Sequence, residues 1–211
     1  MFDISLRQVK DRVTAPLCYC VPRSVSPLHI TAIAFVSGLL ACLTATDVSL
    51  GRWSLFFWCM NRVLDGLDGA VARDRKLVTE LGGFLDLLCD FIVYSLLPIA
   101  IMTGQELELL VEVRWLSVAV LEGSFHINNF VLFYVSAVAA KREEKELTSV
   151  TMRPALVEGF ESGLLFTAML VWPQYINFWC WTMSAGVGIG ICQRVLWVVQ
   201  AFQRVDEHKS D

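Results

Sequence analysis

Of the 211 residues, 55% are hydrophobic and 18% charged, with 13 Gly, 6 Pro and a formal net charge of −4. A soluble domain carries about 25% charged residues. The apolar excess therefore excludes a disordered or collagen-like chain, and the negative balance excludes a basic surface for nucleic acid.

In chain order, residues 1–26 come first as an expected surface element. Phe2, Leu6, Val9, Val13 and Leu17 recur at helical spacing opposite Asp3, Arg7, Lys10 and Thr14. That pattern predicts an amphipathic helix lying in the headgroup plane, or else a short helix packed on the ends of others. Its charges leave no apolar core for a cleavable signal. Pro22 and Pro27 then break the chain. Apolar runs follow at 30–46, 53–71, 81–105, 115–140, 155–172 and 175–193. The first and last carry no charge, the second is interrupted by Arg62 and two Asp, and the fourth holds only Glu122 and His126. A spanning helix needs about 20 mostly apolar residues. The expectation is an all-α polytopic membrane protein forming a single domain over 1–211. It would have the interfacial helix at 1–26, a bundle of six transmembrane helices at 27–202 and a tail at 203–211.

Charge sets the orientation. Arg7, Lys10, Arg12, Arg23, Arg73, Arg75, Lys76, Lys141, Arg142, Lys145, Arg153, Arg204 and Lys209 fall on one side of these spans, against Arg52 and Arg114 on the other. The bias places both termini in the cytosol. The seven Cys have no zinc-type spacing and read as small packing residues. Trp53, Trp58, Trp115, Trp172 and Trp181 sit near span ends, where aromatic belts form.

Four acids stand in the wrong solvent. Asp65 and Asp68 are three apart in the second span, and Asp86 and Asp90 four apart in the third, so each pair shares a helix face. The intervening turn makes the two helices antiparallel neighbours and brings the pairs toward each other. Two carboxylates ~5 Å apart repel by roughly 3 kcal/mol at an effective dielectric of 20, so the group needs cations. An all-oxygen donor set suits Mg²⁺ or Mn²⁺. Three readings share this chemistry: acids paired with Arg62 or Arg194 to hold helices together, a divalent-cation transporter, and metal-dependent phosphoryl transfer at the membrane surface. A transporter would place its acids nearer the midplane.

Residues 65–90 read D-G-x-D-G-x-x-A-R-x8-G-x3-D-x3-D, from Asp65, Gly66, Asp68, Gly69, Ala72 and Arg73 to Gly82, Asp86 and Asp90. This resembles the signature of the CDP-alcohol phosphatidyltransferases, and the span layout extends the resemblance over most of the chain. The resemblance implies transfer of a phosphatidyl group from CDP-diacylglycerol to an alcohol with release of CMP, in a homodimer with its active site on the cytosolic side. It implies one metal held by Asp65, Asp68 and Asp86, a second among Asp65, Asp86 and Asp90, and Asp90 as the general base. It places Gly69, Arg73 and Thr79 at the CDP donor, together with Leu28, His29, Ile30 and Thr31 of a Pro-x-x-x-Thr segment opening the first span. Arg153 is the candidate for a phosphorylated acceptor. Glu122 and His126, four apart, either face the bundle interior or pair helices. The chain length resembles members that use glycerol 3-phosphate. No Asn-Gln stretch follows Arg73 as in inositol-using relatives, which leaves inositol, inositol phosphate and serine as alternative acceptors.

Overall fold

The structure, a computed structural model, describes residues 18–105, 111–142 and 159–210. The expected interfacial helix and Arg153 lie outside the described residues. Every regular element among those described is helical: α1 (Pro27–Ala45), α2 (Gly51–Asp74), α3 (Glu80–Gly104), α4 (Val111–Arg142), α5 (Gly159–Val171) and α6 (Ile176–Ser210). Short 3-10 segments at Val48–Leu50 and Pro173–Tyr175 lead into α2 and α6. The tail expected from 203 continues α6 without a break as far as Ser210.

Local chemistry explains the helix ends. Pro27 opens α1 at a position where its missing N–H costs nothing. Ser26 caps it: the Ser26 hydroxyl accepts from the His29 N–H, and the Ser26 N–H donates to His29 Nδ1 at 3.2 Å. Lys76 closes α2 in the left-handed region at φ 56°, which lets the Leu77 N–H reach the Ala72 carbonyl at 2.8 Å and the Lys76 N–H reach that of Arg73. Thr79 then caps α3, its hydroxyl accepting from the Gly82 N–H at 3.0 Å.

Four segments are long and apolar enough to cross a membrane: Pro27–Ala45, Glu80–Gly104, Arg114–Ser136 and Pro173–Gln200. α2 has the length, with 24 residues, but carries too many charges. α5 is apolar but contributes only 13 described residues. The two elements that fall short of a plain hydrophobic span are thus the charge-bearing α2 and the shortest helix.

The first three helices form one unit. α1 and α2 run antiparallel, joined by three polar rungs. Thr31 Oγ1 donates to Asp68 Oδ2 at 2.5 Å, Asn61 Nδ2 to the Ala34 carbonyl at 2.8 Å, and Ser54 Oγ to the Ala41 carbonyl at 2.7 Å. Such interhelical bonds hold membrane helices together where no hydrophobic drive exists between them. α3 runs parallel to α1 on another face, and its backbone approach is closest at two glycines. A Cβ at Gly38 would sit 2.6 Å from Val93 Cγ2, and one at Gly104 2.6 Å from the Ala45 carbonyl oxygen. α2 and α3 are thus antiparallel to each other, but both pack principally against α1 and touch one another through side chains, Arg62 with Asp90 and Trp58 with Tyr94.

α4 packs along α6, and α5 bridges α2, α3 and α6. The main core gathers at the far end of the bundle from the acids, around fully buried Trp58, Val93, Leu97, Leu121, Phe166, Met169, Cys180 and Met183. Trp58 is the exception among the tryptophans expected in the aromatic belt. It is buried because its indole N–H has a partner inside, Thr167 Oγ1 of α5 at 2.9 Å, and its ring meets Phe166 edge-on at 5.7 Å. Trp53, Trp172 and Trp181 stay exposed. All seven Cys are free thiols.

Gly38→Ala should force the β-branched, rotamer-restricted Val93 and the Asn61 rung to move. The expected cost is about 1–3 kcal/mol, read as a lower thermal midpoint of the detergent-solubilised protein. An unchanged midpoint would show that the α1–α3 approach is looser than described.

Candidate active site

The four signature acids lie on α2 and α3, which Arg62 of α2 joins through Asp90 of α3. Asp68 is the most enclosed, 4% exposed, and the Thr31 hydroxyl fixes one of its oxygens. Thr31 is itself 8% exposed and sits one turn into α1. The helix against which α2 and α3 both pack thus also supplies the donor that orients the first carboxylate layer. Asp86 and Asp90, four apart, share a face of α3.

Asp90 is held differently. Arg62, on α2 one turn before Asp65, donates from Nη2 to Asp90 Oδ1 at 2.5 Å and from Nη1 to Asp90 Oδ2 at 3.4 Å. The same Nη1 stands 3.8 Å from Asp65 Oδ2. The guanidinium is fixed from behind. Its Nε donates to Asn61 Oδ1 at 2.8 Å, and Nη1 donates to Tyr94 Oη at 2.5 Å. Its carbon lies 4.9 Å from the Trp58 ring centroid and 5.0 Å from that of Tyr94, cation–π distances on both sides. Of the two Arg weighed as structural partners for the acids, Arg62 takes that role toward Asp90. Arg194 of α6 instead donates to Asn128 of α4.

The donor set fits a hard divalent cation in kind, being four carboxylates on two facing helices. Its closure is a separate matter. Among the described residues no three acidic, His or Cys side chains stand close enough together to share an ion in this conformation. The contact that keeps Asp90 from turning toward the others is the Arg62 fork.

The residues expected around a donor lie on the first turn of α1, the last turns of α2 and the start of α3. The absent Cβ of Gly69 leaves room for Arg73, whose Nη1 would be 3.1 Å from such an atom, so the guanidinium folds back along α2 over the glycine. Leu28, His29 and Ile30 occupy the first turn of α1 beside Thr31, with His29 engaged in the cap and Ile30 packed against Leu67 and Val71. Thr79 opens α3 as its cap. Glu122 is half-buried with one carboxylate oxygen unpartnered, whereas His126 is exposed.

Reasoning from the sequence missed two groups. Tyr94 follows Asp90 by four residues on the same face and so was findable from spacing. Arg75 was not. It is a turn residue whose Nη2 donates to the Val21 carbonyl at 2.7 Å and whose Nη1 donates to those of Val25 at 2.8 Å and Pro22 at 3.3 Å. It thereby clamps the segment before α1 onto the α2–α3 turn.

A profile of the CDP-alcohol phosphatidyltransferases matches residues 21–192. The chain belongs to that family. It is 31% identical over 179 residues to the inner membrane protein YnjF of Escherichia coli, covering 80% of this chain and 82% of that protein. It is also 30% identical over 84 residues to a bifunctional IPC transferase and DIPP synthase of Thermococcus kodakarensis, covering 40% of this chain and 19% of that protein. The CDP-alcohol phosphatidyltransferase is accordingly a multi-pass membrane phosphotransferase, and its four acids carry the family signature.

Removing the Thr31 hydroxyl should leave buried Asp68 short of a charge-assisted bond worth about 1.5–3 kcal/mol. Thr31→Val is expected to lower thermal stability by that order, and Thr31→Ser to restore it. Equal loss in both variants would assign the effect to packing instead.

Proposed function

We propose that this protein transfers a phosphatidyl group from CDP-diacylglycerol to a small alcohol, with glycerol 3-phosphate as the leading acceptor, and releases CMP. The observation that supports the reading is the Arg62 bridge that joins Asp65 of α2 to Asp90 of α3, one turn from Asp68 held by Thr31. The acceptor assignment rests on the basic residues around Arg153. Inositol, inositol phosphate and serine are the alternatives.

On this reading Asp65, Asp68 and Asp86 hold one Mg²⁺ or Mn²⁺, and Asp65, Asp86 and Asp90 hold a second. When bound, these ions neutralise the diphosphate and the charge that develops on the attacking and leaving oxygens. The chain's own work is positioning. Arg73, folded over Gly69, offers a planar fork to the diphosphate. Thr31 holds one oxygen of Asp68. Asp90 takes the proton of the acceptor hydroxyl as its oxygen bonds to phosphorus and the bond from phosphorus to the CMP oxygen breaks. A carboxylate is a weak base toward an alcohol, so proton transfer accompanies attack rather than preceding it.

The remaining features follow from the same reading. All six α-helices cross the bilayer, α2 with its charges turned away from lipid. The basic bias of the loops places the signature end in the cytosol, where nucleotide and water-soluble acceptor are available, while the diacylglycerol chains stay in the membrane. Two copies assemble as a homodimer.

Purified protein incubated with CDP-diacylglycerol, Mn²⁺ and each of glycerol 3-phosphate, serine, inositol and inositol phosphate should release CMP with one of them, and the lipid formed names the acceptor. Asp90→Asn should abolish that transfer while donor binding stays detectable. Undiminished turnover in Asp90→Asn would remove Asp90 as the base, and absence of CMP release with every acceptor would count against the reaction.

A further inference from the structure

Arg62 stands where the mechanism has no place for it. It lies in an otherwise apolar stretch of α2, and its fork covers both oxygens of Asp90 and reaches Asp65. On the proposed reading Asp90 belongs to the second ion position alone, whereas Asp65, which Arg62 only approaches, belongs to both. Asp68, which belongs to the first, is turned instead toward Thr31. The guanidinium is no loose surface group. Asn61, Tyr94 and the faces of Trp58 and Tyr94 fix it, and Asn61 is anchored in turn on the Ala34 carbonyl of α1. Removing such a group from water is costly, and a fixed position with satisfied donors offsets that cost.

We infer that Arg62 is a built-in cation that stands in for the second metal ion and must be displaced for that ion to bind. The inference rests on the two-ion reading above. Its physical basis is competition for the same lone pairs. A carboxylate oxygen that accepts a charge-assisted bond from a guanidinium is not free to ligate a metal, and a fixed positive charge beside the position repels a divalent ion. The first position, fixed by Thr31, takes an ion in the resting protein. The second fills only when the Arg62–Asp90 fork opens, which happens more readily once the donor diphosphate adds negative charge. Arg62 thus makes full loading conditional on substrate and keeps Asp90 neutralised until then. Tyr94 and the two ring faces remain to hold the guanidinium after Asp90 leaves it.

The test counts ions rather than turnover. Detergent-solubilised protein is titrated with Mn²⁺ alone and followed by electron paramagnetic resonance, where two neighbouring ions give a dipolar-broadened signal that one ion does not. Wild type should bind one Mn²⁺ tightly and a second at least tenfold more weakly. Arg62→Gln should tighten the second by roughly ten- to a hundredfold and the first by much less, since Asp65 is the one acid of that position near Arg62. Arg62→Lys, which keeps the charge but loses the bidentate fork, should fall between them and serves if the glutamine variant does not fold. Two equivalent ions in wild type, or a second affinity unmoved in both variants, would overturn the role of Arg62 while leaving the metal-dependent reading intact. No Mn²⁺ bound by wild type, with or without CDP-diacylglycerol, would overturn both.

Discussion

Four carboxylates gathered at one end of an apolar bundle have to be neutralised, and much of this structure follows from how that is done. Repulsion between two of them amounts to roughly 3 kcal/mol at ~5 Å, and the surrounding helices offer little water. The chain meets the constraint in two layers. Deeper along α2, Arg62 supplies a charge that Asp65 and Asp90 share. Nearer the turn, Thr31 gives Asp68 a hydroxyl donor. Both devices depend on α1. Thr31 belongs to it, and Asn61, which holds Arg62, is itself held by the Ala34 carbonyl. A helix without a signature residue is therefore the scaffold on which the signature is aligned.

The same arrangement divides the bundle into a closed half and an open one. At the far end Trp58, Phe166, Tyr94 and Met183 fill the space between helices, and α3 comes so close to α1 that only glycine fits at positions 38 and 104. At the signature end the first turns of α3 leave Leu81, Phe84 and Leu88 exposed. Rigid packing in one half fixes the helix axes, and the acids project from them into the other half. The join between the halves is aromatic: Trp58 and Tyr94 belong to the core through Phe166 and to the site through Arg62.

Much of this was legible in the sequence, because it lay in short-range spacing. The apolar runs marked the helices, and three- and four-residue intervals put each Asp pair on one face. The order of Asp65, Gly69, Arg73, Gly82, Asp86 and Asp90 pointed to the family. What escaped reading depends on distance in the chain. Nothing local to Trp58 shows that Thr167, on another helix, will accept its N–H, so a buried core residue looked like a membrane-surface anchor. Nothing local to Arg75 shows that three carbonyls of residues 21–25 will lie within its reach. Antiparallel neighbours across a short turn were legible for α2 and α3, but not that their link would be side chains, Arg62 to Asp90 and Trp58 to Tyr94, while both helices pack their backbones against α1.

Charge arithmetic links the resting site to the proposed reaction. Four ionised Asp with Arg62 and Arg73 leave about −2, and a CDP diphosphate adds roughly −2 more, a balance that an enclosed site does not tolerate. Two divalent cations restore neutrality only when the donor is present. With the donor absent, two ions would leave the same site at about +2. A fixed internal cation that yields its partner when substrate arrives suits this alternation, since it keeps the site near neutral in both states without opening it to water. The position of Arg62, one helical turn deeper than Asp65 and backed by two aromatic faces, serves that purpose better than a lysine would. An ammonium lacks the planar fork that covers both Asp90 oxygens while remaining bound to Asn61 and Tyr94.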